Sequence, residues 1–195
     1  MFPDLDKNYW TNRYQNKDFG WDIGSISEPL KAYIDQLTDF SKKILIAGAG
    51  NAYEAEYLFK KGFQNVFVAD ISPIPLQNFA ERNPDFPKNQ LLEIDFFEID
   101  QQFDLFLEQT FFCAINPNLR KKYAQKVAEL LTDKGKLAGV FFDTVFDSPN
   151  PPYGGSEAEY RAYFEPYFHF KHFSTCHNSI KPRANRELFA CLEKI

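Results

Sequence analysis

The sequence predicts an α/β fold built on a mostly parallel sheet with helices on both faces. Three observations carry this. From Lys43 onward, short continuous apolar runs alternate with helical patterns, and strands apolar throughout belong to sheets covered on both faces. The first run, Ile44 to Ala47, enters the glycine pair Gly48 and Gly50 and passes at once into a helical pattern. Glycines there let the chain turn sharply and let a ligand come close. Finally, of the five strand ends Gly48, Asp70, Asp95, Glu108 and Asp143, four are acidic. Ligands of open α/β sheets bind at those carboxyl ends.

Residues 1–40 read as an N-terminal annex and 41–195 as the core of one domain. Tyr9, Trp10 and Tyr14 fit one helical face. A loop with two glycines and two large aromatics follows, Asp18 to Gly24. A second helix is expected from about Pro29 to Phe40, with Pro29 in its first turn and Leu30, Tyr33, Ile34 and Leu37 as its apolar stripe. In the core, Ile44 to Ala47 is the first strand. A helix follows from about Ala52 to Lys61, with Asn51 as N-cap, Glu54 as its capping-box partner and Gly62 as the stop. The second strand runs from Val66 to Ala69, and Ser72 caps a short helix that ends before Pro84. Strands are expected from Gln90 to Ile94 and from Phe103 to Leu107. A helix from Asn116-Pro117 to about Thr132 is punctuated by Gly135, and a fifth strand runs from Leu137 to Phe142. Asp143 to Gly155 is a Pro/Gly-rich loop of a length that is usually functional. Ser156 and Glu159 form a capping box for a helix ending near Pro166. Phe168 to Thr175 and Glu187 to Leu192 read as an antiparallel pair at one edge of the sheet.

Totals narrow the function. The 195 residues carry a net charge of −5 with no basic block, which argues against nucleic acid and anionic membranes as partners. No apolar run reaches transmembrane length and no signal-peptide pattern opens the chain. Three widely spaced cysteines without a CxxC read as reduced thiols of a cytoplasmic protein. Aromatic residues reach 17%, with 22 phenylalanines, more than packing alone requires, so some are expected to line a pocket.

Asp70 lies 20 residues after Gly50, the usual distance for an acid that grips ribose hydroxyls. Dinucleotides and S-adenosylmethionine both use such an acid, and charge separates them. The dinucleotide spacing G-x-G-x-x-G ends here on Tyr53, and Glu54 puts negative charge where a pyrophosphate would sit. A sulfonium and an ammonium group want the reverse: acids at the strand ends and aromatic faces nearby, which Trp10, Tyr14 and Trp21 would supply if the annex folds over the site. A nicotinamide oxidoreductase is the disfavoured alternative. His169, His172, Cys176 and His177 match no standard zinc framework, and odd spacing puts His169 and His172 on opposite faces of a strand. No metal is expected. No G-x-S-x-G or catalytic cysteine context is present.

These residues carry a family resemblance. Tyr9-Trp-Thr-Asn-Arg-Tyr14, Gly20-Trp-Asp-Ile-Gly24, Ile46 to Tyr57, Asp95-Phe-Phe97, Glu108 to Pro117 with Arg120 and Tyr123, and Pro152-Tyr-Gly-Gly155 resemble, in order, motifs of the thiopurine S-methyltransferase-like family, closest to its thiol and halide methyltransferases. The resemblance implies a class I methyltransferase fold, a seven-stranded sheet with five strands parallel and S-adenosylmethionine as cofactor. It implies that Trp10, Tyr14 and Trp21 cover the cofactor, that Gly48 approaches its methionine part and that Asp70 takes the ribose hydroxyls. Asp95 and Phe96 would frame the adenine, and Glu108 would sit near the methionine ammonium. Tyr153 and Arg120 match positions near the acceptor. Arg120, in the first turn of its helix, wants a compensating anion. Tyr14 stands where many relatives have tryptophan, and Ala52 where other methyltransferases carry a third glycine. The expected reaction is in-line displacement at the sulfonium methyl by a small soft nucleophile, a thiol, sulfide or halide, with no obligate protein partner. A non-catalytic S-adenosylmethionine-binding module is the other reading.

Overall fold

The computed structural model describes residues 2–195. Seven strands form one sheet in the order β3-β2-β1-β4-β5-β7-β6. They are β1 (Ile44–Ala47), β2 (Val66–Asp70), β3 (Leu91–Glu93), β4 (Phe103–Gln109), β5 (Leu131–Phe142), β6 (Phe168–Thr175) and β7 (Glu187–Lys194). β1 to β5 are mutually parallel where they pair, and β7 runs antiparallel to both β5 and β6. Six α-helices of the described residues accompany them: α1 (Lys7–Gln15), α2 (Glu28–Ile34), α3 (Tyr53–Lys61), α4 (Pro73–Arg82), α5 (Arg120–Leu130) and α6 (Glu157–Phe164).

Side-chain alternation along the strands divides the core. Ile44 and Ile46 of β1 join Leu105 and Leu107 of β4 on the face covered by α2, α3 and α4. Leu45, Ala47 and Phe106 point the other way, into an aromatic core with Tyr123 of α5 and Tyr160 and Phe164 of α6. Phe112 lies at its centre, in edge contact with Tyr123, Phe141 and Tyr160 at 5.1–5.4 Å. Much of the phenylalanine content is therefore packing.

Three local expectations need correction. α2 ends at Ile34, not Phe40: Asp35 is its C-cap and pairs with Lys31 and Lys61, and Phe40 turns back onto Phe63 at 4.8 Å. α5 ends at Leu130, because Leu131 already pairs with Phe103. The chain then bulges through Thr132–Gly135, with Lys134 at φ 58°, before Lys136 pairs with Leu105; Gly135 thus serves a bulge in β5, and not a helix end. In β6 a register shift between Phe170 and His172 places His169 opposite Glu193 and His172 opposite Cys191. Those partners are two apart, so both histidines lie on one face, contrary to simple parity. Among the described residues, no three His, Cys, Asp or Glu side chains converge as metal ligands. Among the same residues, no helix is long and apolar enough to cross a membrane.

Candidate active site

The chain runs β1, β2, β3 in one direction and then crosses back to β4, so strand order reverses between β1 and β4. Such a switch point opens a crevice at the carboxyl ends of the strands. A cavity of about 590 Å³ lies there.

The turn after β1 forms its floor. Gly48, Gly50 and Ala52 take the left-handed conformation in alternation, at φ 56°, 51° and 53°. Ala52 is the N-cap of α3 and makes no side-chain cap bond. The expected capping box is absent because both of its members are used across the chain. The Asn51 amide donates to Asp22, and Glu54 accepts from the Ser27 amide at 3.2 Å. Glu54 is buried, which pushes its carboxyl above the ordinary value. The turn thus ties the annex to the sheet.

Asp70 ends β2 and is buried at the cavity wall. Its carboxylate accepts from the Gly50 amide at 3.1 Å and the Ser72 amide at 2.9 Å. Burial outweighs these bonds and raises its pKa to about 6. Asp95 and Phe96 line the cavity beside it, Asp95 accepting from the Phe97 amide at 2.9 Å.

The annex closes the opposite side. Trp10 and Trp21 meet edge to face at 5.6 Å, and Tyr14 meets Trp21 at 5.8 Å. All three line the cavity. Trp21 is held from a distance: its carbonyl accepts from Arg183 Nη2 at 2.7 Å. A Cβ on Gly50 would come within 3.1 Å of the Tyr14 hydroxyl, so that glycine serves the approach of the annex. Gly48 serves a side chain as well, since a Cβ there would sit 2.1 Å from Phe111.

Three expected residues stand back from the cavity. Glu108 lies wholly within the core on the α5 face; it accepts from the Phe111 and Phe112 amides at 2.7 and 2.9 Å and from the Tyr123 hydroxyl. Its phase in β4 is that of Phe106, and the next residue, Gln109, faces the cavity with a buried, unpartnered Oε1. Burial lifts the Glu108 carboxyl to about 7. Arg120 is buried, and not a surface ion pair. Its guanidinium donates to Glu159 at 3.0 Å and to the carbonyls of Tyr153 and Gly154 at 3.1 and 2.9 Å. Glu159 is the anion its helix position requires, which is why Ser156 receives no reciprocal cap bond from it. Tyr153 sits behind Pro151 and Pro152, donating to the Pro149 carbonyl at 3.1 Å, with its ring against Phe2 at 5.2 Å.

Several lining residues were not read from the sequence. Phe2 to Asp6 cross the mouth as a strap, and Arg13, Asp22, Phe111, Cys113, Ile115 and Leu119 add to the walls. Cys113 donates to the Thr110 carbonyl at 3.2 Å, and burial pushes its thiol up to about 12. It stays neutral at pH 7 and does not compete as a nucleophile.

Residues 5–194 match the family model of thiopurine S-methyltransferase. The chain belongs to that family. It is 26% identical over 162 residues to a probable thiol methyltransferase 2 of Arabidopsis thaliana, covering 80% of this chain and 71% of the relative. It is 25% identical over 198 residues to thiocyanate methyltransferase 1 of Brassica oleracea, covering 98% and 87%. The fold matches that of the Burkholderia thailandensis 1,6-didemethyltoxoflavin-N1-methyltransferase, solved with bound 1,6-didemethyltoxoflavin and S-adenosylhomocysteine, at a TM-score of 0.76 and 17% identity over 96% of this chain and 86% of that one. The fold is that of class I methyltransferases, and the family's cofactor is S-adenosylmethionine. The cavity suits it, because its lining includes several acids and aromatic faces, the groups a sulfonium and an ammonium want. The buried Asp70 carboxylate, held only by backbone amides, retains lone pairs for hydroxyl donors.

Proposed function

We propose that this protein transfers a methyl group from S-adenosylmethionine to a small soft nucleophile, a thiol, sulfide or halide. One observation carries the reading: three aromatic side chains from the annex fold over an acid-lined crevice at the switch point. When bound, S-adenosylmethionine supplies an electrophilic methyl on sulfur. Trp10, Tyr14 and Trp21 cover it and exclude water. Asp70 accepts from the ribose hydroxyls, while Asp95 and Phe96 frame the adenine. Gly48 lies along the methionine part, its missing side chain admitting the Phe111 ring, and Gln109 takes over the ammonium contact that Glu108, turned into the core, does not make. Glu108 instead holds the amides of Phe111 and Phe112 in place.

Tyr153 and Arg120 act on the acceptor through the 144–155 loop, whose carbonyls Arg120 holds. Residues up to about 40 serve as a lid on the core formed by 41–195. An ionised nucleophile needs no general base, so orientation and water exclusion suffice. The test is incubation with labelled donor and a panel of thiols, sulfide and iodide. Labelled methyl product supports transfer; donor binding with no product from any acceptor refutes it in favour of a binding module. Tyr153→Phe and Tyr153→Ala should leave donor binding intact and change turnover; unchanged turnover in both removes Tyr153 from the site.

A further inference from the structure

The charge of the cavity is lopsided. Among the described residues, Asp4, Asp6, Asp22, Glu54, Asp70 and Asp95 line it against a single side-chain cation, Arg13. Arg13 is already engaged: it pairs with Asp18 at 2.8 Å, donates to the Tyr9 hydroxyl at 3.0 Å and lies over Trp21 at 5.0 Å. Among the described residues no lysine or histidine lines the cavity. A free anion entering here meets repulsion and, among the described residues, no unpaired side-chain cation, so its only counter-charge there would be the donor's own.

The end away from Asp70 is walled by Phe2, Leu5, Ile115, Leu119, Pro151 and Pro152. Two of its polar groups are turned to the chain's own backbone. Cys113 donates to the Thr110 carbonyl, and Asn116 accepts from the Asn118 amide. Burying an anion against such walls costs its hydration and returns few hydrogen bonds. Five of the six carboxylates are held in place by hydrogen bonds from Tyr9, Asn51, Ser27, Gly50 and Phe97, so the negative field they set up in the cavity is fixed.

We propose that this end of the cavity takes an uncharged soft nucleophile with no proton to lose, a dialkyl sulfide or selenide, and converts it to an onium cation. The inference rests on the methyl-transfer reading above and goes beyond its acceptors. The acceptor's lone pair forms the bond to the methyl carbon, and the donor's carbon–sulfur bond breaks with its electron pair left on that sulfur. The positive charge passes to the product, and no proton is released. Transfer to an anion would discharge the cation inside an acid-lined cavity; transfer to a neutral sulfide keeps the charge where the carboxylates and aromatic faces stabilise it.

Two measurements test this. With protein saturated by S-adenosylhomocysteine, calorimetric titration at constant ionic strength compares trimethylsulfonium with thiocyanate. The onium is expected to bind at least tenfold tighter, and Asp4→Lys to narrow that ratio. Thiocyanate binding as tightly as the onium overturns the inference. In parallel, dimethyl sulfide and dimethyl selenide with the donor should give trimethylsulfonium and trimethylselenonium by mass spectrometry. Turnover of thiols or iodide without any onium product overturns the inference and leaves methyl transfer standing. No product from any acceptor overturns both.

Discussion

Glu108 offers a prediction that can be worked from the structure. It is fully buried, and its carboxylate takes three donors, the Phe111 and Phe112 amides and the Tyr123 hydroxyl. Desolvation still prevails and raises its pKa from 4.5 to about 7. The sign follows directly. Between those two values the folded state holds a proton that the unfolded chain has lost, so stability falls as pH rises through the interval. The stabilisation is complete below pH 4.5 and gone above 7. A shift of this size corresponds to roughly 3 kcal/mol, of which roughly 2–3 kcal/mol lies between pH 5 and pH 8. Glu108→Gln cannot titrate, yet its carbonyl can still accept the two amides. The assay is denaturant or thermal unfolding of both proteins across pH 5–8. Asp70 and Glu54 titrate in each and cancel in the difference. Wild type should lose roughly 2–3 kcal/mol relative to the variant across that range, equivalent to about 5–10 °C in midpoint for a chain of this size. Parallel stability curves for the two proteins would refute the assignment of the proton to Glu108.

Asp70→Ala should weaken binding of S-adenosylhomocysteine by roughly 1–3 kcal/mol by calorimetry. Wild-type affinity should itself fall from pH 8 to pH 5, because protonation of Asp70 near its pKa of about 6 removes an acceptor. Gly48→Ala forces a side chain into the left-handed region and into the Phe111 ring. Strain alone costs roughly 1–3 kcal/mol, so its melting temperature should drop and its donor binding weaken. Arg120→Met keeps an apolar stem but removes donors to Tyr153, Gly154 and Glu159. Limited proteolysis should then cut the 144–155 loop faster than in wild type, with donor affinity little changed.

The strands were legible where burial on both faces leaves an unbroken apolar run. Ile44 to Ala47 is read with its own limits, and Val66 to Ala69 falls one residue short. Boundaries failed where tertiary pairing overrides local pattern, as at Leu131, whose partner Phe103 lies far back in the chain. The bulge in β6 defeated the parity argument for His169 and His172 because an extra residue leaves no mark in composition. At the site, the aromatic trio and the strand-end acids Asp70 and Asp95 do meet at one cavity. Glu108 misled because the strand-end rule names a position and not a direction. The alternation of Leu105, Phe106, Leu107 and Glu108 between the two core faces held the answer. The strap Phe2 to Asp6 has no periodicity and no capping signal, so nothing local marked it as a wall of the pocket. Asn51 and Glu54 read as a capping box because local chemistry allowed one; Asp22 and Ser27, close only after folding, claimed them.

The order of strands has a consequence for a chain growing from its amino end. β6 is made before β7, yet β7 lies between β5 and β6. Until Glu187–Lys194 emerges, neither neighbour has its partner. The edge left bare on β5 is Leu-Ala-Gly-Val-Phe-Phe, residues 137 to 142, without a charge or a proline. Such an edge is a template for pairing with another chain. Crowded nascent copies would therefore risk intermolecular association through β5. A substitution that slows the docking of β7 would lower soluble yield even where the finished protein tolerates it.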